Sequence, residues 1–144
     1  MLSKEMNYIR LSGTEYPIRC DMLVLEKIQE EYGDISDFEN KLLGFTPSRN
    51  KDGTVKKDDE GRQIGISGIP DIKALNLAVY WMVNEGLEVE DRKGELLTKE
   101  KAARMIDYTP KELSELLHKE FMRCFQRKNG KTTQNQETTA NQNR

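Results

Sequence analysis

Apolar residues recur every three or four positions in four stretches of the chain, which is the period of an α-helix with one buried face. These stretches are residues 21–33, 71–85, 98–107 and 109–125, and a shorter helix is predicted over residues 36–43. The most apolar run, residues 72–83, contains the single tryptophan, Trp81. A helix with so wide an apolar face is expected to be buried on several sides. We therefore expect Trp81 to be largely buried, among Leu75, Val79, Leu117 and Phe121.

Capping residues define where these helices begin and end. Asp21 and Gly33 enclose the first helix, and residues 36–39, Ser-Asp-Phe-Glu, match a capping box for the short second one. Gly86 is expected to end the central helix. Thr98 is the predicted N-cap of the next helix. Residues 109–112, Thr-Pro-Lys-Glu, add a proline at the first helical position to a capping box, which is a strong signal for the start of the last helix.

The rest of the chain is predicted to hold a hairpin, an insertion and a tail. Residues 6–20 predict a β-hairpin with a turn at Ser12-Gly13-Thr14, and such a hairpin needs helices to pack against. Residues 46–68 are charged and small, which indicates a long loop or a mobile β-ribbon. Residues 128–144 are polar and are expected to form a disordered tail.

The predicted fold class is mainly α (α+β), with an N-terminal β-hairpin packed on a bundle of four to five helices. Residues 1–127 form the predicted single domain, with residues 46–68 as a mobile insertion in it. The polar residues 128–144 follow this domain.

Composition narrows the function classes. Charged residues make up 33% of the chain at a net charge of −2, so no global basic field would attract nucleic acid. We expect no membrane span, because the longest apolar run is too short, and no signal peptide, so synthesis in the cytosol is the default. Cys20 and Cys124 form no metal-binding spacing with the single histidine, and reduced thiols are expected.

Two short motifs resemble ligand-binding loops. Residues 130–132, Gly-Lys-Thr, match the end of a P-loop, but Phe125 stands where the earlier glycine is required. Residues 48–59 partly resemble a calcium loop, but Ser48 and Asp59 replace its first acidic ligand and its bidentate glutamate. A polar tail and a solvated turn are the favoured interpretations.

Two further groups of side chains could support chemistry. His118 lies near Glu115 and Ser114 on one predicted helix, without an evident third group to orient it. An acidic cluster after the central helix is favoured as a solvated face, with a basic partner as the alternative. Its members are Glu85, Glu88, Glu90 and Asp91. No catalytic set, cofactor or metal is predicted.

Three stretches, taken in order, carry a family resemblance: residues 8–17, residues 78–88 with their Asn-Glu-Gly, and residues 97–107. They resemble the tail assembly chaperones of long-tailed bacteriophages and prophages of Gram-positive hosts. The resemblance implies a non-enzymatic protein that coats the tape measure protein and keeps it soluble in the host cytoplasm. It also implies absence from the finished tail. In many relatives a longer product arises by frameshifting.

The expected partners follow from this resemblance. The tape measure protein is the expected partner, the tail tube protein is a second candidate, and self-association is expected. The residues predicted to bind the partner form apolar stripes on two helices, namely Leu75, Val79, Met82, Leu113, Leu116, Leu117 and Phe121. The alternative is a small phage or bacterial adaptor, or a head–tail connector-type structural protein. A DNA-binding regulator is disfavoured because acidic residues balance the basic ones of the last helix.

Overall fold

A computed structural model describes residues 6–126, and within this range five α-helices are joined to two antiparallel hairpins. The strands are β1 (Asn7–Leu11), β2 (Thr14–Ile18), β3 (Phe45–Pro47) and β4 (Gly65–Ser67). The helices are α1 (Met22–Tyr32), α2 (Ile35–Leu43), α3 (Ile72–Val89), α4 (Lys99–Arg104) and α5 (Pro110–Gln126), with a 3₁₀ turn at Lys93–Glu95. The predicted fold class is confirmed for these residues. The predicted tail, residues 128–144, lies outside them.

Side-chain caps start the helices largely where the sequence predicts them. Asp21 accepts a hydrogen bond from the Val24 amide, and Thr98 accepts one from the Lys101 amide. At α5 the capping box is reciprocal: the Glu112 amide donates to Thr109 Oγ1 at 3.2 Å, and the Thr109 amide donates to Glu112 Oε1 at 3.1 Å. These bonds satisfy amides that have no partner inside the helix.

The cap of α2 differs from the prediction. The N-cap is Asp34, whose carboxylate accepts a hydrogen bond from the Ser36 amide at 2.8 Å. The capping box at 36–39 was therefore placed two residues too late. An aspartate readily bonds the backbone two residues on, so Asp34 can start the helix directly after Gly33 ends the previous one.

The central helix runs on to Val89, so the predicted stop at Gly86 was wrong. A Cβ atom at Gly86 would lie 2.6 Å from the carbonyl oxygen of Pro17. Glycine is thus needed inside the helix because β2 crosses it closely, and the amide of Arg19 donates to the Met82 carbonyl at 3.0 Å in the same contact. The helix after Thr98 was predicted to reach Asp107, but α4 ends at Arg104.

The core lies between α3, the N-terminal hairpin and α5. Ala78, Val79, Met82 and Val83 have no exposed surface. Trp81 is only partly buried and packs at the edge of this core, in a surface pocket with Tyr80 and Lys27. Trp81 is thus less fully buried than predicted, because it also lines that surface pocket.

The segment 46–68 is a β-ribbon. β3 pairs with β4 through Phe45↔Ser67 and Pro47↔Gly65. Two isolated bridges, Arg49↔Val55 and Lys57↔Gln63, extend the pairing outward. Of the two predicted alternatives the ribbon is thus the one observed, and its mobility stays a prediction.

A buried carboxylate joins the ends of the described chain. Glu120 on α5 has no exposed surface. It accepts hydrogen bonds from Asn7 Nδ2 and from the Cys20 amide, both at 2.7 Å, and it forms an ion pair with Arg123. The hairpin is therefore attached to α5 through polar bonds as well as through apolar packing.

We expect Gly86→Ala to lower the free energy of unfolding by about 1–3 kcal/mol, because the added methyl must push β2 away from α3. Intrinsic helix propensity favours alanine, so a loss would be steric. Gly94→Ala is the matched control, since a Cβ atom there meets nothing within 4 Å. Urea unfolding of both variants measures the difference, and equal stabilities would contradict the close packing of α3 on β2.

We expect Glu120→Ala to cost about 3–5 kcal/mol, because Arg123 loses its buried counter-charge and the Cys20 amide loses its acceptor. Glu115→Ala changes an exposed glutamate on the same helix and should stay within about 0.5 kcal/mol of the parent. Thermal or denaturant unfolding checks both values. A Glu120→Ala protein as stable as Glu115→Ala would show that the buried carboxylate is not needed.

Candidate partner-binding surface

The residues predicted to bind a partner lie in the core. Six of the seven are at most 3% exposed: Leu75, Val79, Met82, Leu113, Leu117 and Phe121. The seventh, Leu116, is partly buried and packs against the same cluster. In this conformation the stripes on α3 and α5 face the rest of the fold, so their apolar periodicity is explained by folding. A partner-binding surface must be sought elsewhere.

Three exposed isoleucines mark a different surface. Ile66, Ile69 and Ile72 are 72%, 80% and 51% exposed and follow one another at intervals of three residues. They span the end of β4, the linker and the first residue of α3. Large apolar side chains grouped in this way on a surface often mark a contact site.

The backbone of this linker is held in place although its side chains face outward. The Gly68 amide donates to the Gly44 carbonyl at 2.7 Å, and the Asp71 amide donates to the Lys41 carbonyl at 2.9 Å. Gly44 has a φ of 77°, and a Cβ atom there would lie 2.3 Å from the Gly68 oxygen. The end of α2 thus fixes the linker at a contact that only glycine allows.

A groove lies beside Ile69, between the linker and the start of α5, with a volume of about 550 Å³. Its apolar walls are Leu43, Ile69, Pro70 and Pro110, and we call it the Ile69 groove. Ser114 also lines it, but its hydroxyl already donates to the Leu42 carbonyl at 2.7 Å. The groove therefore offers apolar surface rather than free polar groups. Lys111 and Glu115 line it on the α5 side.

A pair of carboxyl groups lies on another side of the molecule, where α1 begins. Burial and a hydrogen bond with Asp21 raise the pKa of Glu85 to about 7. Burial alone would raise the pKa of Asp21, but hydrogen bonds from Glu85, the Val24 amide and Arg19 bring it below its ordinary value. The Arg19 Nε atom is 3.2 Å from Asp21 Oδ2. The two carboxyls thus share a proton below about pH 7, with Asp21 as the charged member.

The histidine group does not form a catalytic arrangement. His118 Nε2 lies 2.8 Å from Glu39 Oε2 on α2, and Ser114 is bonded to the backbone of α2 instead. His118 therefore joins two helices.

The other candidate ligand groups are internally paired. The Asp52 carboxylate accepts from the Thr54 amide at 3.0 Å and so shapes a turn. Glu90 accepts from the Tyr8 hydroxyl and from Arg92. Within residues 6–126 no group of three potential ligands could hold a metal, and no helix there has the length and apolar character needed to cross a bilayer. The Gly-Lys-Thr motif at 130–132 lies outside the described residues.

Comparison with family models, with curated proteins and with solved structures found no match to this chain. Its function must therefore be argued from its own residues and surfaces.

We expect Glu85→Gln to remove a pH dependence of stability. The folded-state pKa of Glu85 is raised to about 7. Its protonation therefore stabilises the fold fully below the ordinary carboxyl range, and this contribution is lost as the pH rises toward and through 7. Glutamine keeps a hydrogen-bond donor for Asp21 and does not ionise. Unfolding measured from pH 4 to 8 should show a smaller loss of stability for Glu85→Gln than for the parent. Glu88→Gln, an exposed neighbour on α3, should keep the parent's slope; an unchanged slope in Glu85→Gln would contradict the shared proton.

Proposed function

We propose that this chain is a non-enzymatic tail assembly chaperone that binds the tape measure protein of a long-tailed phage. Two kinds of observation support the proposal. The first is the order of the resembling stretches at 8–17, 78–88 and 97–107. The second is an exposed apolar surface on a chain whose predicted contact stripes are used for its own folding.

The observation that carries the proposal is the strongly exposed Ile69 in the wall of the Ile69 groove, with Ile66 and Ile72 also exposed three residues to either side along the chain. A tape measure protein is a long helical client, and an amphipathic helix binds by placing apolar side chains into such a groove. Lys111 and Glu115 carry opposite charges at the groove's edge and suit the polar flanks of a client helix. The linker's fixed backbone keeps the groove in shape before the client arrives.

Several copies of this chain would bind along one tape measure protein. A groove of about 550 Å³ takes a few side chains, so each site would bind weakly. A long client offers many similar sites, and several chaperone copies would cover it together. In the absence of a client the same surface favours self-association.

The proposal is tested by co-expression of this chain with a tape measure protein from the same phage genome. We expect the soluble fraction of the tape measure protein to rise and a complex to co-purify. Ile69→Ser should weaken binding roughly tenfold or more, since burying an isoleucine contributes about 1.5–3 kcal/mol. Met22→Ser is the matched control, because Met22 is 77% exposed and lies on α1, away from the groove lining. Isothermal titration with client peptides measures both variants.

Two results would count against the proposal in different ways. Loss of binding in Met22→Ser but not in Ile69→Ser would move the contact surface to α1. A tape measure protein that is equally insoluble with and without this chain would favour the adaptor or connector-type alternative.

A further inference from the structure

Cys20 and Cys124 meet in space although they lie near opposite ends of the described chain. Cys124 is close enough to the Cys20 thiol to raise its pKa. Both belong to the same packed cluster, Cys20 as a buried member and Cys124 as a partly buried one. They are the only two cysteines of the chain.

The backbone around the pair is fixed by Glu120. The Cys20 amide donates to Glu120 Oε2 at 2.7 Å, and Cys20 lies two residues after the end of β2. Glu120 and Cys124 are four residues apart on α5, so their side chains share one face of the helix. The carboxylate therefore holds the backbone of Cys20 against the turn of α5 from which the Cys124 thiol projects.

The two thiols differ in access. Cys20 has no exposed surface, whereas Cys124 is partly exposed. Burial and the neighbouring Cys124 and Glu120 raise the pKa of the Cys20 thiol. A reagent from solvent therefore meets Cys124 first, because Cys124 is the more accessible thiol. Cys20 lies behind it in position to act as the second, resolving thiol, although its raised pKa makes that second step the slower one.

We propose that Cys20 and Cys124 form a redox modification site. A small-molecule disulfide such as oxidised glutathione oxidises the two thiols to a reversible intramolecular disulfide. The Cys124 thiolate attacks one sulfur of the reagent, the reagent's S–S bond breaks, and one molecule of free thiol leaves. Cys20 then attacks the Cys124 sulfur of the mixed disulfide, and its proton passes through solvent to the leaving glutathione thiolate. The protein S–S bond forms and the second thiol leaves. In total two protein thiols are oxidised and one reagent disulfide is reduced to two thiols.

The consequence is a covalent link between the exit of the N-terminal hairpin and the last helix. A disulfide between residues 20 and 124 would close a long loop and so restrict the unfolded chain strongly. The oxidised form should therefore unfold at a higher temperature. The inference is independent of client binding, because neither cysteine lines the Ile69 groove.

The test uses the full chain, purified with reductant and then incubated with oxidised glutathione. Intact mass should show loss of two hydrogen atoms with no glutathione retained, and peptide mapping should recover a Cys20–Cys124 link. The thermal midpoint should rise by several degrees and return on treatment with dithiothreitol. A parent protein that keeps both thiols free, retains glutathione or forms only linked dimers would overturn the proposal.

Two variants separate the roles of the thiols. Cys124→Ser, at the partly exposed position, should stay unmodified with an unchanged midpoint, because Cys20 is inaccessible. Cys20→Ala should stop at the mixed disulfide and gain one glutathione on Cys124. Modification of Cys20 in folded Cys124→Ser would overturn the assigned order of attack, and the parent's mass and midpoint decide the proposal even if Cys20→Ala fails to fold.

Discussion

The buried carboxylate of Glu120 holds the hairpin against the last helix, and the arrangement of the fold depends on this contact. A charge without exposed surface destabilises a protein unless it is paired and hydrogen-bonded. Asn7, the Cys20 amide and Arg123 satisfy this requirement together. The hairpin meets it with β2 lying across α3 at Gly86, where a Cβ atom would clash with Pro17. The hydrogen bonding of Glu120 and the absence of a side chain at Gly86 therefore both contribute to how the hairpin docks.

Local signals in the sequence predict the helices well because caps act locally. Asp21 and the Thr109 capping box satisfy amides within three residues of themselves, so their chemistry is visible without tertiary structure. Gly86 and Trp81 were misjudged for the opposite reason. The role of Gly86 depends on a strand remote in sequence, and the burial of Trp81 depends on which side of α3 the hairpin covers.

The candidate surface was harder to predict than the fold. An apolar helical stripe looks the same whether it packs inside the protein or binds a partner, so Leu75 and Phe121 could not be assigned from periodicity alone. Ile69 lay outside every predicted helix and strand, and the backbone bonds that hold the linker to the end of α2 are visible only in the structure. The one available signal was an apolar Gly-Ile-Pro run outside any predicted element.

The position of Glu120 in α5 also affects how the protein is made. Translation delivers Asn7 of the hairpin 113 residues before the carboxylate that receives it, so the nascent chain cannot complete this contact until α5 has left the ribosome. Contacts between such distant parts of a chain slow folding and leave apolar surface exposed for longer. The hairpin, although synthesised before α5, therefore reaches its final packing only after α5 is available.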